Sequence, residues 1–183
     1  MINIPSTHKD PNYRYKMPKM DIRYFSHHGT GMNSIILNAD DVAEHLRVPT
    51  LAVMKYLSKE LGAQIVGETI LQGSHSYDIL LKHLDKFIKG YVTCKKCGYP
   101  ELRRFAEGKK DLKSKCNSCG TVNTHDAASA AGKVLLNNLE AVEDIQKKDD
   151  DNEKNFNNVT APKIEKPKKK EQEFSDAEDE INY

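Results

Sequence analysis

Two Cys-x-x-Cys-Gly pairs, CKKCG at 94–98 and CNSCG at 116–120, contain all four cysteines of the chain and stand 18 residues apart. Four thiolates at this spacing can surround one Zn2+ ion tetrahedrally, at about 2.3 Å per bond. Gly98 and Gly120 can take positive φ and bring backbone N–H groups towards the sulfurs, as the two turns of a zinc ribbon require. Two disulfides would need an oxidising compartment, and a thioredoxin-type redox pair needs one motif where this chain has two. The spacing therefore predicts a closed, structural zinc site on Cys94, Cys97, Cys116 and Cys119, within a ribbon spanning 93–125.

Ahead of the cysteines, the pattern predicts a small α+β unit over 21–92, with helices covering a sheet. SIILN (34–38) reads as the first strand, so that the folded unit begins near Ser34, and Asn38 as the N-cap of a helix over 39–48. LAVMKYLSKELG (51–62) places Leu51, Met54, Leu57 and Leu61 on one helical face and stops at Gly62. Residues 63–68 and 69–73 read as two short strands. A further helix is expected from Ser76, as its cap, to Gly90, as its stop. Beyond the ribbon, an alanine-rich helix is expected over 126–146.

The chain has 183 residues, 38% hydrophobic and 30% charged, with a mean hydropathy of -0.70. That is polar for a chain folded throughout, and 147–183, with its charge blocks and prolines, reads as a disordered tail. Residues 1–143 hold 20 Lys/Arg against 15 Asp/Glu and the remainder 8 against 12, so a basic body carries an acidic tail. No apolar run approaches the roughly 20 residues of a membrane span, and the start has neither a basic n-region nor an apolar h-region. A soluble, cytoplasmic protein without a membrane partner, monomeric outside any complex, is the expectation.

Between the knuckles lie Arg103, Arg104, Lys109, Lys110, Lys113 and Lys115, which suit either a nucleic-acid backbone or a merely solvated ribbon surface. SHHGTG (26–31) reads as a turn. AAGKV (130–134) lacks the upstream glycine and the hydroxyl residue of a phosphate-binding loop, so the chain is not itself a P-loop hydrolase. At the other end, DPNYRYKMP (10–18) sets Arg14 between Tyr13 and Tyr15 in a segment without periodicity, and residues 1–20 read as a mobile arm.

INIPSTHKDPNYRYKMPKM, MKYLSKELGAQ (54–64) and the paired CKKCG and CNSCG together resemble the N-terminal domain of eukaryotic translation initiation factor 5. A related domain forms the C-terminal half of the beta subunit of initiation factor 2. The resemblance covers about residues 1–140. It implies a GTPase activator for the gamma subunit of initiation factor 2, in the complex with GTP and initiator methionyl-tRNA on the small ribosomal subunit and its rRNA, with the beta subunit as a further partner. Arg14 matches the family's invading arginine, and Lys55 matches a second basic position used for activity. Two alternatives stay open: a non-catalytic subunit or adaptor like the beta subunit, and an RNA-binding zinc ribbon module.

Two departures from the family accompany these matches. Asn33 stands where the family has lysine, which puts part of the basic surface for GTPase or ribosome contact in question. The family also continues through a linker into a helical-repeat domain that nothing here is long or periodic enough to form, so the expectation is a naturally short form or a chain cut within the linker. EFSDAEDEINY (173–183), with Phe174 and Tyr183 around an acidic core and Ser175 open to acidophilic kinases, reads as a docking motif or a solubilising tail.

Overall fold

The computed structural model describes residues 1–27, 31–108 and 110–139. The acidic tail, Phe174, Ser175 and Tyr183 lie outside the described residues, as does Lys109. Mixed α and β structure is what the sequence leads one to expect, and the sheets are antiparallel throughout.

The N-terminal segment is where the structure corrects the expectation most. Residues 1–20 are not a mobile arm: β1 (Ile2–Asn3) pairs with β2 (Lys16–Met17), and Ile4, Met17 and Met20 are buried in the main core. The backbone N–H of Ser6 donates to Asp85 Oδ1 at 2.9 Å, and its hydroxyl donates to the other carboxylate oxygen. Three scattered apolar side chains leave no periodic trace in a sequence, yet their burial fixes both ends of the loop between them.

The folded unit also starts before Ser34. β3 (Ile22–His27) pairs with β4 (Gly31–Ile36), and the sheet continues through β6 (Ile70–Gln72) to β5 (Ile65–Val66), in the order β3-β4-β6-β5. The expected turn at 26–31 falls between β3 and β4 and mostly outside the described residues. Helix α1 (Ala39–His45) begins after Asn38 as expected, but the Asn38 side chain does not cap it. Its Oδ1 accepts the Asp21 N–H at 2.8 Å and its Nδ2 donates to the Lys19 carbonyl at 2.7 Å, tying the end of the N-terminal segment to the helix start.

Helix α2 (Thr50–Leu61) ends at Gly62 in the left-handed region, φ 62°. Its inward face is Ala52, Val53, Met54 and Leu57, whereas Leu51 is 44% exposed, so the apolar stripe is rotated from the expected one. Tertiary packing from two sides selects the smaller Ala52 and Val53 where helices approach closely. Helix α3 (Tyr77–Phe87) does not stop at Gly90 but runs on as a π-helical turn, Ile88–Val92, closed by the Thr93 N–H on the Ile88 carbonyl at 2.9 Å.

That turn delivers Tyr91 to the ribbon, whose strands β7 (Leu102–Glu107), β8 (Asp111–Cys116) and β9 (Val122–His125) form an antiparallel sheet. Helix α4 (Ala130–Asn137) packs on α2 and β8. Ser129 caps it, accepting the Gly132 N–H at 2.9 Å. Any Cβ at residue 132 would lie 2.0 Å from the Asp126 carbonyl oxygen, which explains the glycine that a phosphate-loop reading might claim. Leu112 of β8 and Leu135 of α4 belong to the same buried cluster as Phe87, Leu84, Met54 and Ile4. One apolar core therefore runs from the N-terminal strand through the helices into the ribbon.

Candidate functional site

Each cysteine pair sits on a tight backbone turn of its own. The Gly98 N–H donates to the Cys94 carbonyl at 2.9 Å and the Gly120 N–H to the Cys116 carbonyl at 2.8 Å, with both glycines at positive φ, 78° and 71°. Reciprocal bonds, Cys94 N–H to the Tyr99 carbonyl at 3.0 Å and Cys116 N–H to the Thr121 carbonyl at 2.9 Å, close the two knuckles. The four Sγ atoms lie within 4.8 Å of one another. Cys94 and Cys119 are 3.7 Å apart, Cys97 and Cys116 3.5 Å, and none is in a disulfide. A tetrahedral ion with bonds of about 2.3 Å needs sulfurs about 3.8 Å apart, so the cluster fits a metal ion.

Polar neighbours prepare it for that role. Asn123 accepts the Lys95 N–H at 3.1 Å and turns its Nδ2 to Cys94 Sγ at 3.5 Å. Burial pushes the Cys94 thiol up, but the N–H groups of Cys97 and Lys96 and the Asn123 amide outweigh it and bring the thiol down to about 6. Burial dominates at Cys116, pushed up to about 12, so without an ion one of the four sulfurs keeps its proton.

Arg14 is exposed on the loop between β1 and β2, its guanidinium carbon 5.7 Å from the centre of the Tyr15 ring. It lines a cleft of about 440 Å³ with Ile4, Tyr15, Lys16, Glu44, His45, Arg47 and Pro100. Three permanently cationic groups, Arg14, Lys16 and Arg47, thus meet at one opening. Tyr13 is 8% exposed. It stacks on His8 at 4.0 Å, meets Tyr15 edge-on at 5.5 Å and lies parallel to Tyr99 of the first knuckle at 6.5 Å. Tyr15 is 6.2 Å from Tyr99 and donates its hydroxyl to the Glu101 carboxylate.

Lys55 is exposed on α2 and is not one of the residues that line the cleft. The basic residues of the ribbon divide. Arg103, Lys110 and Lys115 are exposed and Lys113 is half-buried beside Glu107. Arg104 is 2% exposed and belongs to the interior, so its assignment to the outer face is corrected. Strand alternation explains this: Arg104 pairs with the buried Ser114 across β7 and β8, whereas Arg103 pairs with Lys115. The Arg104 guanidinium donates to the Arg47 carbonyl at 2.9 Å and to the Tyr91 carbonyl at 2.8 Å. Arg47 is the one non-glycine residue at positive φ, 55°, among the described residues. Asn33 is buried in β4, so at this position the chain does not present a basic surface.

Residues 5–122 match the model of a family described as a domain found in initiation factors 2B and 5. The chain belongs to that family. Similar proteins include the eukaryotic translation initiation factor 5 of Caenorhabditis elegans, 38% identical over 124 residues, which is 65% of this chain and 28% of the relative. That of Mus musculus is 33% identical over 150 residues, 79% of this chain and 35% of the relative. The probable factor 5-2 of Arabidopsis thaliana is 32% identical over 178 residues, 94% of this chain and 38% of the relative. The matched stretch thus spans about a third of the length of these translation initiation factors. Among the described residues, no helix is long and apolar enough to cross a membrane.

Tyr99, Glu101, Arg47, Arg104 and Asn123 escape the sequence reading. Only Arg104 left a usable signal there, the alternation that begins at Leu102.

Proposed function

We propose that the chain is a GTPase-activating domain of translation initiation, working on the gamma subunit of initiation factor 2 in its complex with GTP and initiator methionyl-tRNA. Arg14 is the group it supplies in trans. The observation that carries this reading is the position of Arg14, exposed on the rim of a cationic cleft while the tyrosines on either side of it are held against the body. Phosphoryl transfer leaves a protein little covalent work, so rate is gained by positioning and by stabilising charge on the equatorial phosphoryl oxygens. A guanidinium offers those oxygens a planar fork of donors that stays charged at any physiological pH. Tyr13 and Tyr15 hold the backbone on both sides of Arg14, so less entropy is lost when it enters a partner's nucleotide site. Lys55, on α2, contributes a second cationic contact to the GTPase outside the cleft.

The ion that suits the four cysteines is zinc, because four thiolates in tetrahedral array favour it and leave no coordination position open for substrate. When bound, it cross-links the two hairpins of the ribbon. The outer ribbon face, where Phe105 is 36% exposed near Arg103 and Lys115, suits rRNA or tRNA backbone. Such partners imply work in the cytoplasm.

The test is single-turnover GTP hydrolysis by the purified ternary complex on small ribosomal subunits. Arg14→Ala should lose about 10³ to 10⁵ in stimulated rate, about 4 to 7 kcal/mol, while binding to the complex is retained. Stimulation that survives Arg14→Ala refutes the arginine's role, and survival together with stable co-purification on the gamma subunit favours the subunit reading.

A further inference from the structure

We propose that the first cysteine knuckle is the seat of the arginine loop, with Tyr99 and Glu101 as positioning residues, so that the placement of Arg14 depends on whether the four-cysteine centre holds its metal. The loop from residue 5 to residue 15 leaves the core at Ile4, which is 2% exposed, and returns at Met17, which is fully buried. Its bonds are largely internal: the Asn3 amide donates to the carbonyls of His8 and Asp10, at 2.8 and 2.7 Å, and Lys16 Nζ donates to the Pro11 carbonyl at 2.9 Å. They shape the loop without fastening it to anything. Beside Ser6, near its start, what joins it to the body is the pair of tyrosines that bracket Arg14, one ring on each side meeting Tyr99, and the Tyr15 hydroxyl on Glu101.

Both receiving side chains hang from hydrogen bonds that make the knuckles. The Tyr99 carbonyl accepts the Cys94 N–H, and the Glu101 carbonyl accepts the Asn117 N–H of the second knuckle at 2.8 Å. No disulfide holds the sulfurs together. With the ion removed, four thiol groups at van der Waals distance are all that keeps the knuckles in register, and a knuckle that opens carries Tyr99 away from Tyr13 and Tyr15. Pro100, between the two positioning residues, lines the same cleft as Arg14, so the seat and the cleft share a wall.

The consequence for catalysis rests on the proposed role of Arg14, whereas the test does not. In the full, metal-loaded chain, the rate of tryptic cleavage after Arg14 is followed by mass spectrometry. Tyr99→Ala should raise it about tenfold, because two aromatic contacts are lost, while Tyr99→Phe, which keeps the ring, restores wild-type resistance. Chelation of the wild-type chain should raise cleavage to the same level and add less than twofold in Tyr99→Ala. Cleavage after Lys59 and Lys86, inside α2 and α3, should stay at the wild-type rate throughout. An unchanged rate at Arg14 in Tyr99→Ala, or chelation that opens Lys59 and Lys86 as much as Arg14, overturns the proposal. If Tyr99→Ala frees the loop and Arg14→Ala still stimulates GTP hydrolysis, the seat stands and the role assigned to Arg14 falls.

Discussion

Arg104 carries its charge into the interior and spends it on two carbonyls, which makes Arg104→Met the most informative single change in the body of the protein. The guanidinium bonds at 2.8 and 2.9 Å join β7 to the turn after α1 and to the π-helical turn after α3. Hydrogen bonds from a charged donor contribute about 1.5 to 3 kcal/mol each. The lower end applies here, because Nε has no partner among the described residues and burial draws the guanidinium down to about 10, so ionisation in the interior already has a cost. We expect a loss of about 3 kcal/mol, or about 10 °C in Tm for a folded unit of this size. Arg104→Lys should recover less than half, since a point-like ammonium cannot span two carbonyls on different elements. Thermal unfolding of the metal-loaded chain by circular dichroism measures this, with the exposed neighbour Arg103→Met as control, expected to cost under about 1 kcal/mol. A change under about 0.5 kcal/mol for Arg104→Met, or an equal cost for Arg103→Met, refutes the view that this residue fastens the ribbon to the body.

The metal centre and the buried histidine give two further expectations. Asn123→Leu removes the amide that faces Cys94 Sγ and should weaken metal binding about 10- to 100-fold, read by competition with a chromogenic chelator; unchanged affinity would sink the assignment. His125 holds Ser114 Oγ and the Gly90 carbonyl, each at 2.7 Å, and burial first, then Arg104 and Lys95, lower its pKa despite the Gly90 bond. With the folded pKa below the ordinary 6.5, the unfolded chain takes up the proton first, so this stabilisation is complete above about pH 6.5 and is lost as pH falls through the folded value. Urea unfolding at pH 7.5 and 5.5 should show wild type losing more stability than His125→Gln, which shares the same four cysteines and hence the same acid lability at the metal. Parallel losses in the two proteins would acquit His125.

The cysteine centre was legible because ligand identity and spacing suffice to bring four sulfurs together, whatever packs around them. Helices α2 and α3 were legible from periodicity, although the burial of Ala52 and Val53 in place of Leu51 depends on neighbours that no local pattern encodes. The N-terminal segment was misread for a physical reason: Ile4, Met17 and Met20 are too far apart to form a period, and prolines between them suggest an extended, unattached chain. Its order comes from contacts across some 80 residues, Ser6 with Asp85 and Tyr15 with Glu101. Gly90 as a stop failed similarly, since a π-helical turn holds the chain in helical form long enough to point Tyr91 at the ribbon.

The cleft itself shows why the ribbon and the rest of the body act as one device. One wall carries Arg14, whose loop leans on Tyr99 and Glu101 of the ribbon. The other carries Arg47, held at a left-handed φ that an arginine adopts only at some cost, with its carbonyl fixed by Arg104, again from the ribbon. Pro100 closes the space between them. Neither arginine is positioned by its own element alone: α1 has ended before Arg47, and β2 begins only after Arg14. A ribbon whose metal holds Tyr99 in register while Leu112 and Arg104 hold the sheet to the core therefore sets the separation of the two cationic walls. That separation is the quantity a phosphate-bearing partner would read.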